Sequence, residues 1–227
     1  MIDKSDIYIC LPAYNEASVI GSVIKSIHEN GFENIIVIDD GSDDNTTDIA
    51  STFGIRTLKL PINRGVGAAT QLAIEYARNK KIQYLMLMDA DGQHSAECLH
   101  TMIETMRRHQ ADIVIGNRFV NEENIIPTKR RLYNFLANIF TNMLVDHEHD
   151  SQSGFRLLNR KAIDALNLEI DGYGVCSEMI WKAKKLELNI MDAPIKVSYT
   201  DYSLSKGQNF GKGVKTALSL INKKLKL

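Results

Sequence analysis

The sequence predicts an α/β protein built on a mostly parallel sheet with helices on both faces, and three observations carry that reading. Short apolar runs recur at residues 7–11, 35–38, 55–60, 84–88 and 113–115. Stretches with helical periodicity separate them, as βαβ units require. The runs are continuously apolar instead of alternating, which is how strands read when crossover helices bury both faces of their sheet.

Each element has its own signal. The stretch 17–30 carries Val19, Ile20, Val23, Ile24 and Ile27, an apolar stripe at spacings of three and four that ends near Gly31. Residues 44–53, 65–80 and 96–109 read likewise as helices. After Phe119 the rhythm breaks: "NEENIIPTKRR" is polar and contains proline, and 132–145 is helical in pattern, with Leu132, Phe135, Leu136, Ile139, Phe140 and Met143 on one side. Beyond it we expect a loop entering a strand over 150–159, helices at 162–166 and 175–185, and a strand at 190–199. The stretch 211–227 places Val214, Ala217, Leu218, Ile221 and Leu225 at helical spacing. From Tyr202 onward come Lys206, Lys212, Lys215, Lys223, Lys224 and Lys226 with no acidic residue. Such an end suits either a solvated helix packed on the core or an anionic membrane surface, at roughly 1 kcal/mol per lysine.

Bulk properties narrow the classes. A chain of 227 residues suits one large unit, so the expectation is a single domain over 1–227. The formal net charge of -1 gives no general attraction for nucleic acid. Cys10, Cys98 and Cys176 are widely spaced and form no CxxC pair, which fits a reducing cytosol and suggests neither a disulfide framework nor a zinc site. No signal-peptide pattern and no apolar stretch near ~18 residues stands in the sequence, so neither a membrane span nor export is expected.

Ligands of doubly wound sheets bind outside the carboxyl ends of the strands. There this chain is unusually polar: "PAYNE" follows Leu11, "DDGSDDNT" follows Ile38, "DADGQH" follows Met88 and "GNRF" follows Ile115. Glu16, Asp39, Asp40, Asp89, Asp91 and Arg118 are thereby brought to one rim. So much like charge needs a cation or a donor-rich ligand. Mg2+ or Mn2+ takes one or two carboxylates and completes its shell with phosphate and water, and Asp89 with Asp91 supply that much. The same residues also make good turns and helix caps: Asp91-Gly92 is turn chemistry, and Asp40-Gly41-Ser42 can cap a helix.

Other candidates are weaker. "RGVGAAT", 64–70, has the first two glycines of a dinucleotide fingerprint but Thr70 at the third position and no acid at the ribose distance, so tight helix entry is its expected role. His147 and His149 in "VDHEHD" read as a solvated loop, and His94 either as a minor ligand or phosphate donor or as a turn residue.

Taken in order, "LPAYNE", "VIDDGSDDNT", "NRGVGAA", "MDADGQH", "IGNRF", "DSQSGFRLLNR" and "APIKVSYTDYSLSKGQ" resemble glycosyltransferase family 2. The likeness is to its dolichyl-phosphate mannose synthase and polyprenyl-phosphate glycosyltransferase branch. The resemblance covers nearly the whole chain and implies the GT-A fold, a Rossmann-like sheet with acceptor-side C-terminal elements. Residues 1–120 become the nucleotide-sugar half and 121–227 the acceptor half. By position, Pro12, Tyr14 and Glu16 would line the nucleotide pocket with Ile38 and Asp40 beside the base. Asp89, Ala90, Asp91 and Gln93 would surround metal and diphosphate, with Asp89, Asp91 and Gln93 as ligands of Mg2+ or Mn2+. Arg118 and Arg130 match basic positions near the phosphates, Glu178 an acidic acceptor-side position and Lys206 the lysine of the terminal "SK" motif. Asp91, Arg118 and Glu178 are the catalytic candidates.

The chain departs from that branch at Gly174, where the branch has a lysine, and at Thr200 and Tyr202, where the branch has arginines. The activity the resemblance implies is an inverting, metal-dependent transfer of a sugar from a GDP- or UDP-sugar to polyprenyl phosphate, in cell-envelope glycan synthesis. The enzyme would be cytoplasmic, with peripheral contact at a membrane or a separate anchoring protein. A hydroxyl acceptor on a glycan or protein would instead require a base such as Asp150 or Glu178. A nucleotide-sugar-binding module without turnover is the reading outside enzymes.

Overall fold

The structure, a computed structural model, describes residues 2–121, 124–128, 138, 150–200 and 202–203. The helices expected at 132–145 and 211–227, together with Arg130, His147, His149 and Lys206, lie outside the described residues.

After a single 3-10 turn at Lys4–Asp6, strands and helices alternate as the apolar runs predict. They are β1 (Ile7–Ala13), α1 (Ile20–Glu29), β2 (Ile35–Asp39), α2 (Thr46–Thr52), β3 (Arg56–Lys59), α3 (Val66–Asn79), β4 (Tyr84–Leu87), α4 (Cys98–His109) and β5 (Ile113–Asn117). Past residue 150 come β6 (Arg156–Asn159), α5 (Arg160–Ala165), α6 (Val175–Lys185) and β7 (Ile190–Pro194).

One sheet takes the strands in the order β3-β2-β1-β4-β6-β5-β7. All neighbours are parallel except β6, which runs antiparallel to both β4 and β5. The continuously apolar runs are explained by burial on both faces. Ile7, Ile9, Leu11, Val37, Met86, Val114 and Leu157 point into one apolar cluster with α1 and α4. Cys10, Ile36, Ile38, Leu85, Leu87, Ile113, Ile115 and Leu158 point into the other with α3, α5 and α6. Consecutive strand residues thus serve opposite faces, and neither face is left to water.

Two boundaries differ from the sequence reading. Residues 17–19 turn before α1 begins, because Val19 and Ile20 both donate to the Glu16 carbonyl at 3.0 and 2.9 Å. The last strand ends at Pro194 instead of continuing to 199. Ile195 N–H makes a last bond to Asn117 O of β5 at 3.2 Å, and the chain then crosses to the turn after β4: Ser198 N–H donates to Gln93 O at 2.9 Å, and His94 bridges Val197.

"RGVGAAT" opens α3, and its second glycine is a steric requirement. The N–H groups of Gly67 and Ala68 both donate to Asp171 O, at 2.6 and 3.1 Å, which satisfies otherwise orphaned donors of the helix start. A Cβ on Gly67 would lie 1.9 Å from Ile170 O, whereas one on Gly172 would meet nothing within 4 Å. Gly67→Ala should therefore cost about 1–3 kcal/mol in urea denaturation, and Gly172→Ala should stay within ~0.5 kcal/mol of the parent.

Candidate active site

The sheet reverses its winding direction beside β1: β2 lies on one side and β4 on the other. Crevices for ligands form at such a switch point, outside the carboxyl ends of the strands. The segments after β1, β2 and β4 meet there, and their side chains are laced together before any ligand is considered. Asn15 N–H donates to Ser42 Oγ at 2.9 Å and Glu16 N–H to Thr46 Oγ1 at 2.8 Å, tying the turn after β1 to the turn after β2. Tyr14 stays 40% exposed on this rim while Glu16 is buried beneath it. Tyr202 donates its hydroxyl to Glu16 Oε2 at 2.7 Å, so a residue from far along the chain closes one end of the crevice.

At the end of β2 the two aspartates have different tasks. Asp39 is fully buried; burial works against its charge, but donors from Ser42 and Thr47 with Lys59 nearby hold its pKa below the ordinary carboxylate value. Asp40 accepts from Arg64 N–H at 2.9 Å, Gly65 N–H at 2.7 Å and Asn63 Nδ2 at 3.0 Å, which anchors the loop leading into α3. Ile38, the residue before them, is wholly buried.

Asp89 and Asp91 stand just past β4, with Ala90 buried between them. Burial raises the pKa of Asp89, against the opposing pull of Arg118 and then Arg156. Its carboxylate nevertheless keeps a 39% exposed side chain, an opening towards the crevice. Asp91 is raised by burial and next by Asp89 itself, with His94 and Gln93 pulling the other way. Gln93 gives Asp91 both its backbone N–H, at 3.0 Å, and its side-chain amide. Two carboxylates that disfavour each other's ionisation, one open to solvent, are a poor resting arrangement and a good seat for a hard cation.

The antiparallel β6 brings a third wall. Because it enters the sheet from the carboxyl side of its neighbours, its first residues lie at the rim between β4 and β5. A Cβ on Gly154 would fall 2.5 Å from Asp89 Oδ1, so only glycine leaves that carboxylate its place. Arg156, 1% exposed, spends its guanidinium on backbone carbonyls: Ser153 at 2.9 Å, Cys176 at 2.8 Å and Ser151 at 3.0 Å. It fixes the turn that contacts Asp89 and supplies positive potential behind it.

Arg118, after β5, is buried and grips Asp150 with Nε and Nη2, both at 2.7 Å. Burial opposes its charge, but Asp150 outweighs that and raises its pKa further. A phosphate at this rim would meet an ion pair in place of a bare guanidinium.

With that geometry in view, the sequence pattern described as Glycosyl transferase family 2 matches residues 8–166. The chain belongs to that family, and it is a glycosyltransferase of the GT-A fold. It is 32% identical to the UDP-N-acetylglucosamine–dolichyl-phosphate N-acetylglucosaminyltransferase of Methanococcus voltae, over 99% of this chain and 98% of that one. It is 25% identical to the polyprenol monophosphomannose synthase of Mycolicibacterium smegmatis, over 92% and 83%. Its fold is similar to that of glucosyl-3-phosphoglycerate synthase from Mycobacterium tuberculosis, solved with Mn2+, UDP-glucose and phosphoglyceric acid. There the TM-score is 0.71 at 20% identity, covering 94% of this chain and 78% of that one.

In this glycosyltransferase Pro12, Tyr14, Glu16, Ile38, Asp40, Asp89, Ala90, Asp91, Gln93 and Arg118 all fall at the carboxyl-end rim. Glu178 sits in different surroundings. Its side chain is 0% exposed, it accepts from Glu169 N–H at 3.0 Å and Ile170 N–H at 2.9 Å, and Lys182 lies 3.1 Å away. A carboxylate so buried and so supplied with donors organises the 169–170 loop and has no opening to an acceptor hydroxyl. Among the described residues no three of His, Cys, Asp and Glu form a metal-ligating group; the cation donors on the rim are the Asp89 and Asp91 carboxylates beside the Gln93 amide.

Gly154, Arg156 and Tyr202 were not singled out as site residues from sequence. The available signal was Arg156 itself: an arginine inside the apolar run "FRLL" must be buried with partners. The Arg118–Asp150 pair gives a direct test. Asp150→Ala leaves a buried guanidinium uncompensated and should lower stability by about 3–5 kcal/mol in chemical denaturation, while replacing both partners with apolar residues should cost clearly less.

Proposed function

We propose that this glycosyltransferase moves a sugar from a nucleoside diphosphate sugar to a polyprenyl phosphate at a membrane surface, with inversion at the anomeric carbon. The observation that carries the reading is the Asp89–Asp91 pair at the switch point, open to the crevice and backed by Arg118 and Arg156. Asp89 and Asp91, with Gln93 beside them, would hold Mg2+ or Mn2+, and the bound ion would supply electrostatic stabilisation to the departing diphosphate. Tyr14, Glu16 and the loop anchored by Asp40 form the wall on which the nucleotide rests.

An acceptor phosphate oxygen bonds to the anomeric carbon as the bond from that carbon to the donor diphosphate breaks, and the nucleoside diphosphate leaves with the electron pair. The acceptor is already anionic near neutral pH, so no proton has to be removed. The state of the two carboxylates considered as bases supports this choice: Asp150 is bound bidentately by Arg118, and Glu178 is buried against a backbone loop. The relatives named above, whose names specify dolichyl phosphate and polyprenol monophosphomannose, support it independently.

Among the described residues no helix is long and apolar enough to cross a membrane. Contact with the lipid surface is assigned to the lysines from Lys206 to Lys226 and to Lys129–Arg131, or to a separate anchoring chain. The test uses radiolabelled UDP- and GDP-sugars with a polyprenyl phosphate and Mn2+. Label should enter the organic phase, stop with chelator and return with Mn2+. Asp89→Ala and Asp91→Ala should each lower kcat/KM by at least ~100-fold, the scale of losing one main electrostatic stabiliser. Label appearing only in water-soluble glycan or protein would contradict the acceptor.

A further inference from the structure

We propose that His94 is a positioning residue for the cation site: its Nδ1–H, directed at Asp89, holds that carboxylate in the orientation that grips the metal. The inference rests on the reading that Asp89 binds a divalent cation, and it concerns a residue that reading leaves without a task.

Three observations converge on His94. Its side chain is 4% exposed, and Nδ1 is buried with no hydrogen-bond partner. A buried polar nitrogen left unpaired is destabilising, and such atoms are uncommon enough in folded proteins to require a reason. Asp89 Oδ2 lies 4.0 Å from Nδ1, just beyond hydrogen-bond length, and the Asp91 carboxylate also acts on the ring electrostatically. A small rotation of the carboxylate closes that gap, and a neutral imidazole facing a carboxylate carries its proton on the facing nitrogen.

The imidazole is held in place from several sides. The imidazole stacks on Phe155, with ring centroids 5.0 Å apart and planes inclined by 20°. The His94 backbone is bridged to Val197, and Ser95 N–H donates to Lys196 O at 3.4 Å. Gly154 bounds one side of the Asp89 carboxylate. The segment after β7 and the turn before β6 therefore both act on Asp89 through one imidazole. Hydrogen bonds from outer groups to metal ligands set ligand orientation, and their loss weakens metal affinity by roughly 10–100-fold.

Packing and hydrogen bonding by His94 can be separated by substitution. Asparagine places an amide nitrogen near the Nδ1 position but gives up the stack on Phe155. Phenylalanine keeps a ring on Phe155 and has no donor. Glutamine carries the same amide too far out, near the Nε2 position. Mn2+ is titrated into the full chain and each variant, with free Mn2+ read by its electron paramagnetic resonance signal and folding by thermal melting.

The expected result is that His94→Asn binds Mn2+ within about threefold of the parent, while His94→Phe and His94→Gln bind about 10–100-fold more weakly. Should the phenylalanine variant fail to fold, the contrast between asparagine and glutamine decides alone. Equal affinity in all variants overturns the proposal, as does a loss in asparagine with affinity kept in phenylalanine, which assigns His94 to packing. If the parent itself withdraws no Mn2+ from solution, the cation reading fails, and this inference falls with it.

Discussion

Negative charge crowded at one rim of the sheet is the constraint around which the rest of this structure is arranged. Asp89 and Asp91 follow a strand buried on both faces, and each has its pKa raised by burial. Water cannot relieve them fully, so the protein supplies positive potential from two buried arginines, each held by other bonds. Arg118 is pinned by Asp150 and Arg156 by three carbonyls, so neither collapses onto the aspartates and quenches them. The result is a site whose charge is tempered but not neutralised, the state in which a divalent cation arriving with a diphosphate gains most.

The antiparallel strand β6 makes that arrangement feasible. A parallel strand inserted between β4 and β5 would bring its last residues to the rim. Entering in the opposite direction, β6 brings its first residues, and with them the Ser151–Phe155 turn, against Asp89. The other edge has a related effect: past the end of β7, Lys196–Ser198 pair with the tail of the acidic turn. Two segments remote in sequence thereby buttress one carboxylate.

Much of this was legible beforehand. The five apolar runs became β1 to β5, and the helical stripes became α1 to α4, because burial on both faces and helical spacing leave direct marks on sequence. The rim acids were also legible, since strand ends in such sheets carry function. What periodicity cannot report is which strands are neighbours. Nothing local in "FRLLN" says that it inserts between β4 and β5, and so the closeness of Gly154 to Asp89 was not readable. Glu178 shows the opposite limit: an acid at a suggestive position proved to serve a backbone loop, and only its burial and donors reveal that. Tyr202, remote in sequence from the first strand, donates to Glu16, a contact that no local pattern announces.

The central claim is that acids 89 and 91 seat a cation that carries the donor's diphosphate. Anomalous diffraction at the manganese edge, from crystals grown with Mn2+ and a nucleoside diphosphate, addresses it most directly. The account predicts a single strong peak between these two side chains and the phosphates. A bound nucleotide whose phosphates contact only arginine or backbone groups, with no anomalous signal at that place, would contradict it.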